Sequence, residues 1–278
     1  MATSYSTWGI SMQLVDGSYL YKVGGAIAPL SALNADSTWA QLWLPSYIAL
    51  GELERFINQS VYVHAIKSSR GQARALIELL KELSQTADKP DTKNEPIGAM
   101  EAYRLSQAVS AFEVVITAEF GLTPIFLITP KRGYELGSLI NSGASFFPDS
   151  FRWKVPDAIS DANLGMRCLA FELQTAAAFH FHRVNEAVLR KYWEALMPGK
   201  PHPGNQTTGE YLRALKLARK GSPKVKATLR DIKDLYRNPV SHPGYQLENV
   251  DEAIAVFNSI HTAVVLMLKV IPDPPKTS

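Results

Sequence analysis

Apolar residues recur at intervals of three and four along most of this chain, the period of an amphipathic helix. Ala73, Leu76, Ile77, Leu80 and Leu83 predict a helix over 69–83. Met100, Ala108, Phe112, Val115 and Glu119 form the stripe of a second helix over 97–120, with Gly121 as its stop. The segment 39–57 is helical in pattern, with a break expected near Pro45. Between these, 86–96 is charged, proline-containing and loop-like. The run 124–130 (PIFLITP) is apolar, short and bounded by prolines, which suits one strand or an extended crossing segment. Glycines and prolines accumulate over 131–160, and a structural seam is expected near Pro156.

Beyond that seam the pattern is clearer. A long helix is expected over 162–196, because Phe171, Thr175, Phe179, His182, Glu186, Leu189 and Trp193 fall on one face. Thr207 followed by Glu210 is a capping box for the next helix, whose stripe is Tyr211, Leu215 and Ala218. A third helix runs from Pro223 to Arg237 on Val225, Leu229, Ile232 and Tyr236, and Pro239 ends it. The last opens at Asn249, with Glu252 three residues on. Ala253, Phe257, Ile260, Val264, Met267 and Ile271 line its core face. The fold class expected is mainly α: a C-terminal four-helix bundle over 156–278, preceded by a mostly helical region over 1–155 with at most a short strand.

The composition is that of a globular protein, with 46% hydrophobic and 20% charged residues among 278, which argues against a largely disordered chain. One cysteine, Cys168, excludes an intrachain disulfide and a Cys-rich zinc site. It sits among apolar residues, as an inert core thiol would. The N-terminal residues lack the basic-then-apolar signal pattern. No apolar stretch reaches the roughly 18–20 residues of a membrane span; the longest, 263–271, carries Lys269. A cytoplasmic protein with no membrane partner is expected. No metal-ligand set and no cofactor motif is present, so neither is called for. Trp39, Trp43, Tyr47 and Phe56 suggest a packed N-terminal core, with a base-stacking platform as the lesser alternative.

Charge and chemistry concentrate in one place. Between Tyr211 and Arg237 there are nine basic residues against two acidic ones, whereas the whole chain carries only +3. Lys226, Arg230, Lys233 and Arg237 are spaced 4, 3 and 4, giving a basic stripe suited to a phosphate backbone, although a solvated helix face has the same look. The stripe leads into Arg237-Asn-Pro-Val-Ser-His242. A neutral imidazole can take a proton from an RNA 2′-hydroxyl, and a guanidinium can stabilise charge growing on the phosphate. Asn238 can add a hydrogen bond. The plainer reading of Arg237 is a cation at a helix C-terminus. On the preceding long helix, His180 and Arg183 lie three apart, Arg183 and Glu186 three apart, and His182 and Glu186 four apart, so each pair can touch, either as an internal ion pair with partly buried histidines or as a shell that orients the Arg237–His242 loop. His64, His202 and His261 fall in no constellation.

A helical bundle with an R-x4-H motif between its last two helices resembles the HEPN superfamily. Two blocks carry the resemblance: Cys168-Leu-Ala-Phe-Glu with Thr175-Ala-Ala-Ala-Phe-His-Phe-His-Arg183-Val-Asn-Glu186, and Tyr236-Arg-Asn-Pro-Val-Ser-His242. They are similar to those of a group of uncharacterised bacterial proteins, over about 162–271. The resemblance implies a metal-independent endoribonuclease, working in toxin–antitoxin, abortive-infection or CRISPR-linked defence. Arg237 and His242 would be the catalytic pair and Asn238 their assistant, with Lys226, Arg230 and Lys233 holding RNA. It also implies a homodimer with two motifs facing across the two-fold axis. Such an axis supplies a second histidine, so that one can act as base and the other as acid. A neighbour-encoded regulator or antitoxin is a further expected partner, with 1–155 regulating access. Other members of the superfamily are non-catalytic dimerisation and binding modules, which is the alternative reading. A third is an assembly or antitoxin-type partner.

Overall fold

The computed structural model describes residues 15–64, 66–123, 125–131, 133–237 and 246–275, with 235–237 described by backbone alone. It is mainly helical, and no strand occurs among the described residues. Ile125–Leu127, in the proline-bounded run, form no regular secondary structure. The chain divides into two compact units, Met1–Phe126 and Leu127–Ser278, each with its own core.

The first unit holds α1 (Gly17–Ser31), α2 (Trp39–Gln59), α3 (Ser69–Ala87) and α4 (Ala99–Gly121). Each packs on two others in a closed ring: α1 on α2 and α4, and α3 on α2 and α4. Leu42, Ala49, Leu53 and Phe56 of α2 meet Leu76, Leu80 and Leu83 of α3 in the core. Thr38 and Gln41 cap α2 reciprocally. Thr38 N–H donates to Gln41 Oε1 at 2.8 Å, and Gln41 N–H donates to Thr38 Oγ1 at 3.4 Å. The break expected at Pro45 is absent: α2 runs through it. The bond lost at the proline is outweighed by the apolar face buried on both sides of it. The stripe expected on α4 is also shifted. Met100 is exposed, and the buried face is Ala102, Leu105, Val109 and Phe112. Trp39 and Phe56 are core residues as expected, whereas Trp43 and Tyr47 lie outside the core, exposed and stacked on one another.

The second unit holds α5 (Leu136–Asn141), α6 (Phe151–Lys154), α7 (Ile159–Ala170), α8 (Gln174–Leu196), α9 (Thr208–Leu217), α10 (Pro223–Asp231) and α11 (Val250–Leu268). Residues expected to lie before the seam belong to it: Leu139, Phe147, Phe151 and Val155 are buried in its core. Pro156 therefore lies inside the unit, in a short 3-10 turn leading to α7. The long helix expected over 162–196 is two helices, α7 and α8. They are separated by a turn at Phe171–Leu173 in which Glu172 has φ +59°. That conformation is costly for a side chain with a Cβ. It is held by Lys131, whose buried ammonium donates to Glu172 Oε1 at 2.6 Å and to Thr129 Oγ1 and O, each at 2.9 Å. The partner of the turn thus lies about forty residues upstream, where helical periodicity could not reveal it. With the turn in place, α7 packs back on α8. Gly165 lets them close, since a Cβ there would lie 2.5 Å from the Phe181 ring. Phe171 then falls in the turn and Phe179 is exposed, while His182, Leu189 and Trp193 are buried as the stripe required.

The core face expected on α11 is buried from Ala253 to Met267; Ile271 is buried too, but beyond the end of the helix at Leu268. This helix also corrects the expectation that no apolar stretch is span-length. It is 19 residues long, and an 18-residue stretch of it has mean hydropathy 1.4, enough by length and composition to cross a membrane. Its Ala253, Val256, Phe257, Ile260, Val264 and Met267 are buried in the second core, against α7, α8 and α10.

Candidate functional site

The site expected from the sequence lies between α10 and α11. Asn238 and His242 lie outside the described residues, and Arg237 is described only as a backbone position.

The approach to it is well defined. Ser222 N–H donates to the Tyr192 hydroxyl at 3.1 Å, which fixes the start of α10 against α8. Gly221, at φ +80°, makes the preceding turn beside that same hydroxyl. Val225, Leu229 and Ile232 bury one side of the helix. The basic residues take the other. Arg230 is exposed and makes no ion pair among the described residues. Lys226 Nζ reaches back to the Lys220 carbonyl at 3.2 Å, and Lys233 pairs with Asp234 at 2.8 Å. Arg213, Lys216, Arg219, Lys220 and Lys224 are exposed around them. Of the three residues expected to hold RNA, Arg230 is thus the open cation, and Lys226 and Lys233 are partly committed.

One expectation changes here. The helix does not stay α-helical to Arg237; Ile232–Arg237 is π-helical. The wider turn means that the 4-3-4 spacing, drawn for an α-helix, no longer places Arg237 in line with Lys226 and Arg230. π-Turns are rare and recur at functional sites. Beyond 238–245, Leu247 N–H donates to Thr175 Oγ1 at 3.1 Å, which ties the returning chain to the start of α8. Asn249 then caps α11, its Oδ1 accepting from Glu252 N–H at 2.9 Å.

On α8, the sequence brought His180, Arg183 and Glu186 together. The carboxylate that organises two of them is Asp161, on α7. His180 Nδ1 lies 2.8 Å from Asp161 Oδ1, and Arg183 Nε lies 2.9 and 3.0 Å from its two oxygens. Asp161 was missed because it stands alone between α7's apolar positions, about twenty residues from its partners. Only the break at Glu172 folds it onto them. His182 and Asn185 are buried on the inward face of α8, and Glu186 is half-buried. Cys168 is half-buried, and burial pushes its thiol up from the ordinary value, which keeps it protonated and unreactive. His202 Nδ1 meets the Tyr211 hydroxyl at 2.8 Å at the mouth of α9. Thr207 Oγ1 accepts from Glu210 N–H at 3.3 Å, while the Glu210 carboxylate turns to Asn205 instead of closing the box. Among the described residues, no group of three or more His, Cys, Asp or Glu side chains is placed to hold a metal ion.

Compared with protein families, with curated proteins and with solved structures, the chain matches none.

Proposed function

We propose that the protein is a metal-independent endoribonuclease of HEPN type, acting as a homodimer in a bacterial defence or stress response. The observation that carries the reading is the basic outward side of α10, anchored by its buried inner side and running in π-turns to Arg237 at the head of the R-x4-H motif. Lys226, Arg230 and Lys233 hold the RNA backbone. His242 removes the proton from a 2′-hydroxyl, whose oxygen attacks the adjacent phosphorus. Arg237 stabilises the charge on the phosphoryl oxygens, and Asn238 adds a hydrogen bond. The P–O5′ bond breaks, and the 5′-oxygen takes a proton from the histidine of the second copy. The products are a 2′,3′-cyclic phosphate and a 5′-hydroxyl. The N-terminal unit, up to Phe126, regulates access or receives a partner.

The test is RNA cleavage in excess EDTA, with total tRNA and a labelled single strand as substrates. Wild type should cleave, and His242→Ala and Arg237→Ala should each lower the rate by about 10²–10⁴-fold. Absence of cleavage by a folded dimer would replace this reading with a non-catalytic RNA- or nucleotide-binding module.

A further inference from the structure

We propose that Phe179, His180 and Arg183, held together by Asp161, form a nucleotide subsite that takes one base and its phosphate from single-stranded RNA. The choice of RNA rests on the ribonuclease reading; the geometry of the subsite does not. His180 Nδ1 lies 2.8 Å from Asp161 Oδ1, which fixes the orientation of the ring. Arg183 spends only Nε on Asp161. Its two terminal amino groups have no protein acceptor among the described residues, and the side chain is 56% exposed. That leaves the fork of the guanidinium fixed at one end and open at the other, the arrangement that suits two phosphate oxygens.

The third element is aromatic. Phe179 is 53% exposed on α8. The Arg183 guanidinium carbon lies 5.9 Å from the centroid of its ring, and the His180 ring meets it edge-on, also at 5.9 Å. A single exposed phenylalanine is ordinary on a protein surface. One that lies beneath an oriented guanidinium and against an oriented imidazole offers a stacking face beside a phosphate ligand, which is how single strands are gripped. Asp161 is largely buried and balanced by Arg183, so it orients the pair without presenting its charge to the strand. The subsite also begins one helical turn along α8 from Thr175, where the chain returns after the R-x4-H segment.

The experiment is a fluorescence-anisotropy titration of the full chain with a labelled single-stranded RNA made uncleavable by 2′-O-methyl groups. Phe179→Ala and Arg183→Gln should each weaken binding by about five- to a hundred-fold. Arg183→Gln should also flatten the dependence of log K on log salt by about 0.7, one phosphate contact on a single strand. Both side chains are half-exposed, and circular dichroism melts check that the variants fold as wild type does. Affinities within twofold of wild type for both folded variants, or no binding by wild type, would overturn the subsite. Cleavage of unmodified RNA is read separately. If His242→Ala abolishes cleavage but the two variants bind normally, the subsite falls and the nuclease stands. If nothing cleaves yet binding depends on Phe179 and Arg183, the nuclease falls and the subsite stands.

Discussion

At the residue scale, the decisive side chains are those whose partners are far away in sequence. Glu119, near the end of α4, accepts from the backbone N–H groups of Lys67, Ser68 and Ser69 at 2.8, 2.6 and 3.0 Å, and from the Ser69 hydroxyl. It is an N-terminal cap supplied to α3 from another helix. Burial alone would raise its pKa, but the Ser69 hydroxyl and the three N–H groups together hold it down to about 2. A carboxylate depressed in the folded state adds stability above its unfolded value and loses it as pH falls through the folded one. Glu119→Gln should therefore cost about 1–2 kcal/mol at pH 7, in the range of a lost cap. The gap from wild type should be complete above 4.5 and should narrow as pH falls toward about 2. Urea melts across that interval measure it; a pH-independent gap would show that shape, not charge, is what the site needs. The sequence placed Glu119 in an apolar stripe because its helical phase fits one. Its capping role depends on residues about fifty positions upstream, which spacing cannot reveal. Asp161 was illegible for the same reason.

At the element scale, periodicity located α3, α9, α10 and α11, whose buried faces follow a single local stripe. It failed where tertiary contacts decide the boundary. The Lys131–Glu172 pair splits one expected helix into α7 and α8, and the buried face of α2 carries that helix across Pro45. The same division governs the glycines. In an exposed helical position Ala is favoured over Gly by about 1 kcal/mol. Gly24 and Gly25 of α1 are exposed, and a Cβ on either would meet nothing within 4 Å. Gly24→Ala should raise stability by up to about that amount. Gly165→Ala gains the same local propensity but drives a methyl to 2.5 Å from the ring of Phe181, which is fully buried. Overpacking of that kind costs about 1–3 kcal/mol. The two substitutions should move the midpoint of thermal unfolding in opposite directions. A Gly165→Ala protein as stable as wild type would mean that α7 and α8 do not pack this closely.

At the scale of the whole molecule, helix content was legible, whereas the chain divides into compact units at Phe126 rather than near Pro156. The glycines and prolines between 131 and 160 suggest a seam near Pro156, yet Gly143 is buried: a Cβ there would lie 2.7 Å from the Met166 Cβ. Those residues are tight because α5 and the neighbouring turns wedge against α7. The apolar run before them suits a strand or an extended crossing segment by its pattern; Ile125, Phe126 and Leu127 form no regular secondary structure and are 61, 86 and 91% exposed. The division between the units falls at Phe126. Other exposed aromatic residues such as Tyr21, Tyr103 and Phe179 sit in helices, where backbone hydrogen bonds protect them from proteolysis. Under limiting chymotrypsin, the first cut among the described residues should therefore follow Phe126 or Leu127, leaving fragments close to 1–126 and 127–278. Each has a core of its own, so each should keep helical circular dichroism and melt in a separate transition. Single-stranded RNA binding should remain with the C-terminal fragment, which carries α8 and the basic α10. First cleavage inside 131–155 would instead place the flexible border where the glycines and prolines suggested, and would mean that α5 and α6 do not belong to the body that carries the R-x4-H motif.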